Sequence, residues 1–333
     1  MANARGIDGI FSIIKGTTWG TAGTVNAALK GVRPLSWDVD EGVEPLPDDS
    51  YNGSPSQRMS VMTASHKPSG SFEIDCKYAG LDIPFGIFYG TSAISGANPY
   101  LHTYTLKSDM TGIFASLAWY DGVATYTVSS AKFDELTLSA SAGQCVKAKF
   151  HWVGHKYTRA LGNNLGSVTE PSTIDRVQYN AATSTYSVAA DGGSLAAWSP
   201  GVANWTVTQK RDYTEVFTGL AAPFRDEFIA GRFTVTGSLQ QMPKTAITYQ
   251  DYVTSGAAYK LKFGHVLSAS TKEMNLWLPH ARFIKTNDAI TTTGGIPLPL
   301  DFRCDLATTA QSGYPSTQAG MTFYNDNSAD PLA

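Results

Sequence analysis

The side chains best suited to chemistry in this 333-residue sequence are two histidines and several carboxylates in short alternating runs. His151 and His155 stand four residues apart in HWVGH, and on a helix they could share a metal ion. The alternation predicts a strand instead, where residues four apart are separated by ~13 Å, too far for one ion. We therefore interpret both as structural or surface histidines and predict no metal site.

Two carboxylates raise the possibility of glycoside hydrolysis. Glu73 and Asp75 alternate with Phe72 and Ile74 and so share one face of a strand. Paired carboxylates are the catalytic groups of most glycosidases. No aromatic sugar platform can be tied to this pair, so a solvated strand face is the favoured interpretation. The acidic run over 38–49 lacks the Gly-centred spacing of a calcium loop, which favours a charged surface arm.

Other catalytic and cofactor signatures are missing. The sequence contains no G-x-S-x-G, G-x-x-x-x-G-K-[ST] or H-E-x-x-H motif. Three cysteines, Cys76, Cys145 and Cys304, lie far apart, which fits neither a disulfide framework nor a metal cluster. We predict a protein that is not an enzyme, binds no cofactor and folds in a reducing compartment.

Charge and hydropathy limit the partners. Lys and Arg number 25 against 28 Asp and Glu, a net charge of −3, so no basic excess favours tight binding of nucleic acid. The apolar run over 10–14 is shorter than the ~7–15 residues of a signal peptide, and no stretch approaches the ~18 of a membrane span. We expect a soluble protein made in a cytoplasm.

The elements that carry these residues are mostly strands. Short runs alternate between apolar and polar residues, and turn residues recur between them, which predicts antiparallel sheets with one buried and one wet face. The runs cover 33–40, 70–78, 101–108, 124–133, 135–141, 146–155, 204–210, 259–266 and 274–283. Helices are predicted only over 83–89 and 246–254. The fold class is all-β with a minor α content.

Several of these runs occur twice. GSFEIDC at 70–76 is echoed by GRFTVTG at 231–237, AKF at 131–133 by ARF at 281–283, and VKAKFHW at 146–152 by LPLDFRC at 298–304. A Gly-containing turn precedes each closing strand. The pattern predicts two tandem β-sandwich or barrel domains, each with a short flanking helix. Their boundaries are an N-terminal segment 1–30, a first domain 31–157, a linker or surface excursion 158–200, a second domain 201–310 and a C-terminal segment 311–333.

A long irregular stretch interrupts the first domain at 42–68. It contains PLPDDSYNGSPSQRM, whose Pro, Asp, Asn and Gly residues are not expected to pair in a ladder. An ordered domain that keeps such a segment usually uses it for contact with a partner. We expect an assembly arm over 41–59.

Together these runs resemble a known family. FYGTS, YLHTYTL, FASLAWYDG and SSAKFDELTLSASAGQCVKAKFHWVGH, with TTWGTAGTV at 17–25 and RPLSWDVDEG before the arm, are similar to the tail tube proteins of long-tailed bacteriophages. The likeness covers 17–155 with fair continuity and 205–305 more loosely.

The resemblance implies a structural virion protein without an active site. Family members fold as β-sandwiches with a flanking helix, join their inner sheets edge to edge into rings, and stack the rings into a tube through which DNA passes. We expect synthesis in the bacterial host cytoplasm and residence in the virion tail. The implied partners are further copies of the chain, the tape measure protein, and the tail terminator and tail tip proteins. Double-stranded DNA would pass without specific binding, and no membrane is involved.

Two sets of residues are candidates for these roles. The candidates for the channel lining are Glu73, Asp75, Arg232, Thr234 and Thr236. The candidates for an arm between rings are Glu44, Asp48, Asp49, Tyr51 and Arg58. A duplicated chain predicts a trimeric ring, with a hexamer as the alternative. Other functions that the sequence leaves open are a carbohydrate-binding or glycosidase β-sandwich and a capsid decoration or tail-fibre module.

Overall fold

The computed structural model describes residues 10–47, 61–170, 175–180, 183–198, 201–217, 224–241, 252–267, 271–286, 298–308, 311–315 and 318–332. Nearly all regular structure is antiparallel β-sheet, which confirms the expected fold class. The first half contains β1 (Ile10–Lys15), β2 (Gly31–Val32), β3 (Ser36–Asp40), β4 (Val43–Pro47), β5 (Val61–His66), β6 (Ser69–Asp75), α1 (Asp82–Tyr89), β7 (Gly90–Ser95), β8 (Tyr100–Leu106), β9 (Ala115–Tyr120), β10 (Ala124–Ser141), β11 (Lys147–Gly154) and β12 (Tyr157–Leu161). The second contains β13 (Ser184–Ala190), β14 (Ala196–Ala197), β15 (Val202–Thr214), β16 (Ile229–Gln241), β17 (Tyr259–Val266), β18 (Glu273–Thr286), β19 (Leu298–Cys304) and β20 (Gly320–Asn325).

Eight strands form one continuous layer, which we call the inner sheet. Their order is β3–β6–β11–β10–β15–β16–β19–β18, with antiparallel pairing at every step. Strands β10 and β18 are long enough to continue into a second layer. There β10 pairs with β9 and β12, and β18 pairs with β17 and β20. The layers are therefore joined by shared strands as well as by packing.

The core lies between the layers and is filled by aromatic residues. Phe72, Phe133 and Phe150 from three neighbouring inner strands contact one another with ring centroids 5.2–5.8 Å apart. The helix α1 is buried beside them, and Phe85 reaches both Phe150 and Phe323. Pro84 stands in its first turn, where a missing N–H costs little. These contacts tie the helix and the last strand β20 to the first half of the chain.

The same strand pairing occurs in both halves. Trp37 lies opposite Phe72 in the first half, and Trp205 lies opposite Leu239 in the second. Phe133 and Phe283 each precede a β-bulge at the same point of β10 and β18. The repeated order is β3–β6–β11–β10 and β15–β16–β19–β18.

A glycine opposite an aromatic residue marks equivalent positions in the two halves. Gly70 pairs with Trp152, and Gly237 pairs with Phe302. A Cβ on either glycine would lie 2.8 Å or less from the facing ring and from the backbone oxygen of the neighbouring strand. Glycine is therefore required in both strands so that a large ring can cross the sheet surface.

These registers correct the predicted echo. Gly70 matches Gly237, so aligning GSFEIDC with GRFTVTG is wrong by six residues, and Phe302 matches Trp152, two residues from the predicted match. Side chains in a strand repeat every second residue, so a shift by an even number preserves the polar and apolar faces. The sequence pattern cannot distinguish such shifts, whereas the facing strands can.

Strand pairing extends beyond the expected boundaries. Residues 158–200, predicted as a linker or surface excursion, contain most of β12 and all of β13 and β14, and β13 pairs with β17 along its whole length. The N-terminal segment contributes β1, and the C-terminal segment contributes β20. Ser, Thr and Ala dominate β13, and its apolar alternation is limited to Tyr186 and Val188, too short to indicate a strand from the sequence. The helix predicted over 83–89 is confirmed as Asp82–Tyr89. Most of the helix predicted over 246–254 lies outside the described residues, as does the glycine turn predicted before the second closing strand, at Gly294 and Gly295.

The arm also differs from its prediction. Pro45 and Pro47 do pair, opposite Thr63 and Val61 in the hairpin β4–β5. A two-stranded ladder leaves each strand an open edge where a proline nitrogen needs no partner. In the part of the chain that the structure describes, no helix is long and apolar enough to cross a membrane.

Candidate functional site

The candidate functional surface is the polar face of the inner sheet. Directly opposed residues in an antiparallel sheet point to the same side, so the registers define rows of side chains across all strands. One row runs Ser36, Glu73, Lys149, Thr137, Thr208, Thr236, Arg303, Arg282. The row before it runs Asp38, Ser71, His151, Glu135, Lys210, Thr234, and the row after it runs Asp75, Lys147, Ser139, Thr206, Ser238, Asp301. Every side chain in these rows is polar or charged.

Hydroxyl groups and paired charges cover this face. Lys147 Nζ lies 3.0 Å from Glu73 Oε1, and Arg176 lies 3.4 Å from Asp75. In the centre, the hydroxyls of Thr137 and Thr208 are 3.1 Å apart. Charges of both signs alternate with Ser and Thr, so the surface carries no large field of one sign.

His151 belongs to the same face. Its Nδ1 lies 2.6 Å from a carboxylate oxygen of Asp134, the bulge residue of β10. This hydrogen bond raises the pKa of His151 above its ordinary value. His155 points elsewhere and is buried against Trp19 and Phe224, where desolvation lowers its pKa. The two histidines thus serve separate local contacts, as the sequence predicts for residues four apart in a strand.

Four of the five predicted channel residues occupy neighbouring rows of one surface. Glu73 and Thr236 share a row, although they come from different halves of the chain, and Asp75 and Thr234 stand in the adjoining rows. Arg232 and Thr236 are exposed. The aromatic residues of β6 and β11 lie on the opposite face, so the structure brings no sugar platform to Glu73 and Asp75. Within the described residues, no group of three or more His, Cys, Asp or Glu side chains could hold a metal ion.

The inner sheet has two open edges. Over the described ranges, β3 pairs only with β6, and β18 beyond Ala281 pairs only with β19. Unpaired backbone N–H and C=O groups at such an edge can pair with another strand. The β3 edge carries the exposed residues Asp38 and Asp40, and the exposed Arg282 lies on the β18 edge.

The two halves meet through such an edge pairing inside the chain. Strand β10 closes the first four-stranded group, and β15 opens the second, with seven opposed residue pairs from Glu135↔Lys210 to Ser141↔Asn204. Below this junction, Leu138 and Val207 are fully buried. An edge-to-edge contact of the inner sheet is therefore already present once in each chain.

A loop of the second half covers the junction at one end. We call residues 215–228, between β15 and β16, the clasp loop; the structure describes 215–217 and 224–228 of it. Phe228 contacts Trp19 with ring centroids 5.7 Å apart, and Trp19 Nε1 donates to the Arg225 carbonyl at 3.2 Å. Glu227 Oε1 lies 2.8 Å from Lys132 Nζ and accepts from Gly112 N at 2.6 Å.

Buried charges that the sequence did not indicate lie in and beside the clasp loop. Lys132, Arg211 and Arg225 are all buried, and desolvation lowers the pKa of each below its ordinary value. Glu227 offsets part of that desolvation at Lys132, and Glu215 lies 2.8 Å from Arg225. One feature of the sequence could have indicated the buried Lys132. AKF and ARF each place a cation between Ala and Phe, and a lysine among apolar neighbours needs a partner when it is buried.

The arm begins as an ordered hairpin. Glu44 bonds to Lys67 at 2.8 Å and accepts from Ser65, and the His66 ring contacts Phe224 of the clasp loop with centroids 5.1 Å apart. Hydrogen bonds from Lys67 and Ser65 lower the pKa of Glu44. The other arm candidates, Asp48, Asp49, Tyr51 and Arg58, lie outside the described residues.

Comparison with known proteins gives one family. A family model described as phage tail tube protein matches residues 6–304. Among curated proteins no match is found. The matched range spans both halves, including the junction between β10 and β15.

Proposed function

We propose that this chain, which belongs to the phage tail tube protein family, forms the tail tube by closing three copies into a ring and stacking the rings. The observation that carries the proposal is the junction between β10 and β15, which joins two equivalent four-stranded groups into one sheet. A repeat of that contact between copies would use the two edges that remain, those of β3 and β18.

The number of copies follows from the repeat. The family resemblance implies six sandwiches around the channel, and each chain supplies two equivalent groups of inner strands. Three chains then give a ring with threefold symmetry and an approximate sixfold shape. The edges β3 and β18 differ in sequence, so the contact is head to tail and can close only as a ring or a helix. Linking two groups covalently also removes one association step per pair.

The polar face suits a channel wall for DNA. Each phosphate held by Lys or Arg strengthens binding and slows passage. On this face, cations such as Lys147 stand beside carboxylates such as Glu73, which limits the net attraction for phosphate. We therefore assign Glu73, Asp75, Arg232, Thr234 and Thr236 to the lining, without a specific nucleic-acid site. Enzymatic activity forms no part of this proposal.

The remaining partners follow from the position in the tail. Ring stacking would use the arm, including Glu44, and the tube would contact the tape measure, tail terminator and tail tip proteins. The protein would be made in the host cytoplasm before assembly into the virion.

The test is cryo-electron microscopy of the purified, concentrated protein. We expect hollow tubes whose rings have threefold symmetry, with β3 of one copy beside β18 of the next and the polar face toward the bore. True sixfold symmetry would mean that six chains form the ring and that only one half lines it. A stable monomer under all assembly conditions would contradict the tube function.

A further inference from the structure

Lys132 and Arg282 occupy equivalent positions in the two halves. Each follows an alanine whose partners correspond: Ala131 pairs with Gly154 and Ala115, and Ala281 pairs with Cys304 and Tyr259. Each also precedes the phenylalanine at the bulge. A long cationic side chain, lysine in one half and arginine in the other, therefore stands at the same point of both halves.

Both cations also make the same local bond. Lys132 Nζ donates to the carbonyl of Met110, and Arg282 Nη1 donates to the carbonyl of Gly256 at 2.9 Å. These carbonyls belong to the loops that lead into β9 and β17. Each loop also has a glycine with positive φ three residues before its strand, Gly112 at 75° and Gly256 at 60°. Both cations are thus anchored to a carbonyl of the loop that enters the neighbouring strand.

The two cations differ in how far they are covered by other residues. The clasp loop leaves the Lys132 side chain 0% exposed and supplies Glu227 as its partner. The Arg282 side chain is 44% exposed, and its acidic partner is Asp305 on the neighbouring strand end, at 3.3 Å. Arg303, directly opposite Arg282 on β19, is 55% exposed. The second half therefore presents uncovered the site that the clasp loop fills in the first.

The arm is the counterpart of the clasp loop. Hairpin β15–β16 ends in the pairs Tyr213↔Ala230 and Thr214↔Ile229. We then count the same number of residues from Gly70 as from Gly237 along the paired strands. The matching pairs in the first half are Pro45↔Thr63 and Leu46↔Met62, which lie in β4–β5. The arm thus leaves the inner sheet at the point where the clasp loop leaves it.

We infer that the arm of a neighbouring copy in the same ring covers Arg282, as the clasp loop covers Lys132 within the chain. The occupant is a second copy, and the contact rests on the proposed ring. Charge supports it, because the arm base carries the exposed acids Glu41 and Glu44, of which Glu44 is already bonded to Lys67, while Arg282 and Arg303 are exposed cations. The base of the arm then closes the ring, and its tip is left for the adjacent ring.

The test is photo-crosslinking in assembled tubes. Arg282 is replaced by p-benzoylphenylalanine in the full chain, and crosslinked peptides are identified by mass spectrometry. We expect most intermolecular crosslinks to fall in β4 or β5 of another copy, residues 43–47 and 61–66. The matched control is the same replacement at Arg232, an exposed arginine on the polar face, which should give no crosslink to the arm. A second probe at Arg303 serves if the replacement at Arg282 prevents assembly.

The outcomes separate the two proposals. Tubes that form normally but crosslink from 282 or 303 to other regions would overturn the arm contact and leave the tube function standing. Failure of the unaltered protein to form tubes would overturn the proposed function and the arm contact with it. A charge reversal, Arg282→Glu, should in addition reduce polymerisation at least tenfold while the monomer stays folded by circular dichroism.

Discussion

Replacing Glu227 with Gln should destabilise the folded chain by leaving Lys132 buried without a counter-charge. The Lys132 side chain is 0% exposed, and the Glu227 side chain is 23% exposed at 2.8 Å. Breaking a buried ion pair by removing one partner costs about 3–5 kcal/mol. Because Lys132 keeps its bond to the Met110 carbonyl and Glu227 is partly hydrated, we expect the lower end, about 3 kcal/mol.

The assay is thermal unfolding of the unassembled protein. An unfolding entropy of about 2.1 cal/mol/K per residue over 333 residues gives roughly 0.7 kcal/mol/K, so about 3 kcal/mol lowers Tm by about 4 °C. The matched control is Glu73→Gln, whose Lys147 partner lies at 3.0 Å with side chains 41% and 30% exposed. An exposed pair contributes less than about 1 kcal/mol, so this variant should lose less than about 1.5 °C.

The pH dependence gives a second signature. Burial lowers the pKa of Lys132 in the folded protein, and Glu227 opposes that shift. Without Glu227 the folded-state pKa falls further, while the unfolded lysine keeps its proton up to about pH 10.4. Between the folded and unfolded pKa values of Lys132, the unfolded state binds more protons than the folded state, so the free energy of unfolding rises with pH. The stability that Glu227→Gln loses therefore becomes smaller at alkaline pH. Adding Lys132→Met should recover most of the loss. Equal Tm shifts for Glu227→Gln and Glu73→Gln would refute this account of the clasp.

Three further predictions concern the arm, the sheet crossing and acid stability. Deleting 44–58 should leave a folded chain by circular dichroism that no longer forms tubes in the electron microscope; normal tubes would contradict the role of the arm. Gly237→Ala places a Cβ 2.3 Å from the Phe302 ring and should cost about 1–3 kcal/mol in urea unfolding, whereas Gly201→Ala, which meets nothing within 4 Å, should cost far less. Burial lowers the pKa of His265 to about 4, so folded stability should decrease by about 3 kcal/mol as the pH falls from about 6.5 to 4, and His265→Gln should remove that loss.

The candidate surface was predictable to the level of the strand face. Alternation placed Glu73 and Asp75 on the side opposite Phe72 and Ile74, and the structure has them there because side chains in a strand alternate whatever their partner strands. The joining of Glu73 and Thr236 in one row was not predictable. It depends on four successive strand pairings, and no local pattern specifies which strands become neighbours.

The repeat also shows which features residue patterns predict and which depend on strand pairing. Residue types and spacing were enough to indicate two similar β halves, yet they misaligned GSFEIDC by six residues, because an even shift keeps the same side chains on each face. Only the facing strands fixed Gly70 opposite Trp152 and Gly237 opposite Phe302. Strand β13 was not predicted because its apolar face is short: Tyr186 and Val188 pack against the core, and the Ser, Thr and Ala residues around them give no clear alternation.

By itself, the sequence determined the all-β class, the wet and buried faces of most strands, the duplication and the family likeness, because these depend on side-chain period and composition along the chain. The tertiary structure alone decided that β10 and β15 join the halves into one sheet, that β3 and β18 are left as edges, and that Lys132 is buried where Arg282 is exposed. Those facts rest on contacts between residues far apart in sequence, where backbone pairing and the desolvation of a charge depend on what packs against it.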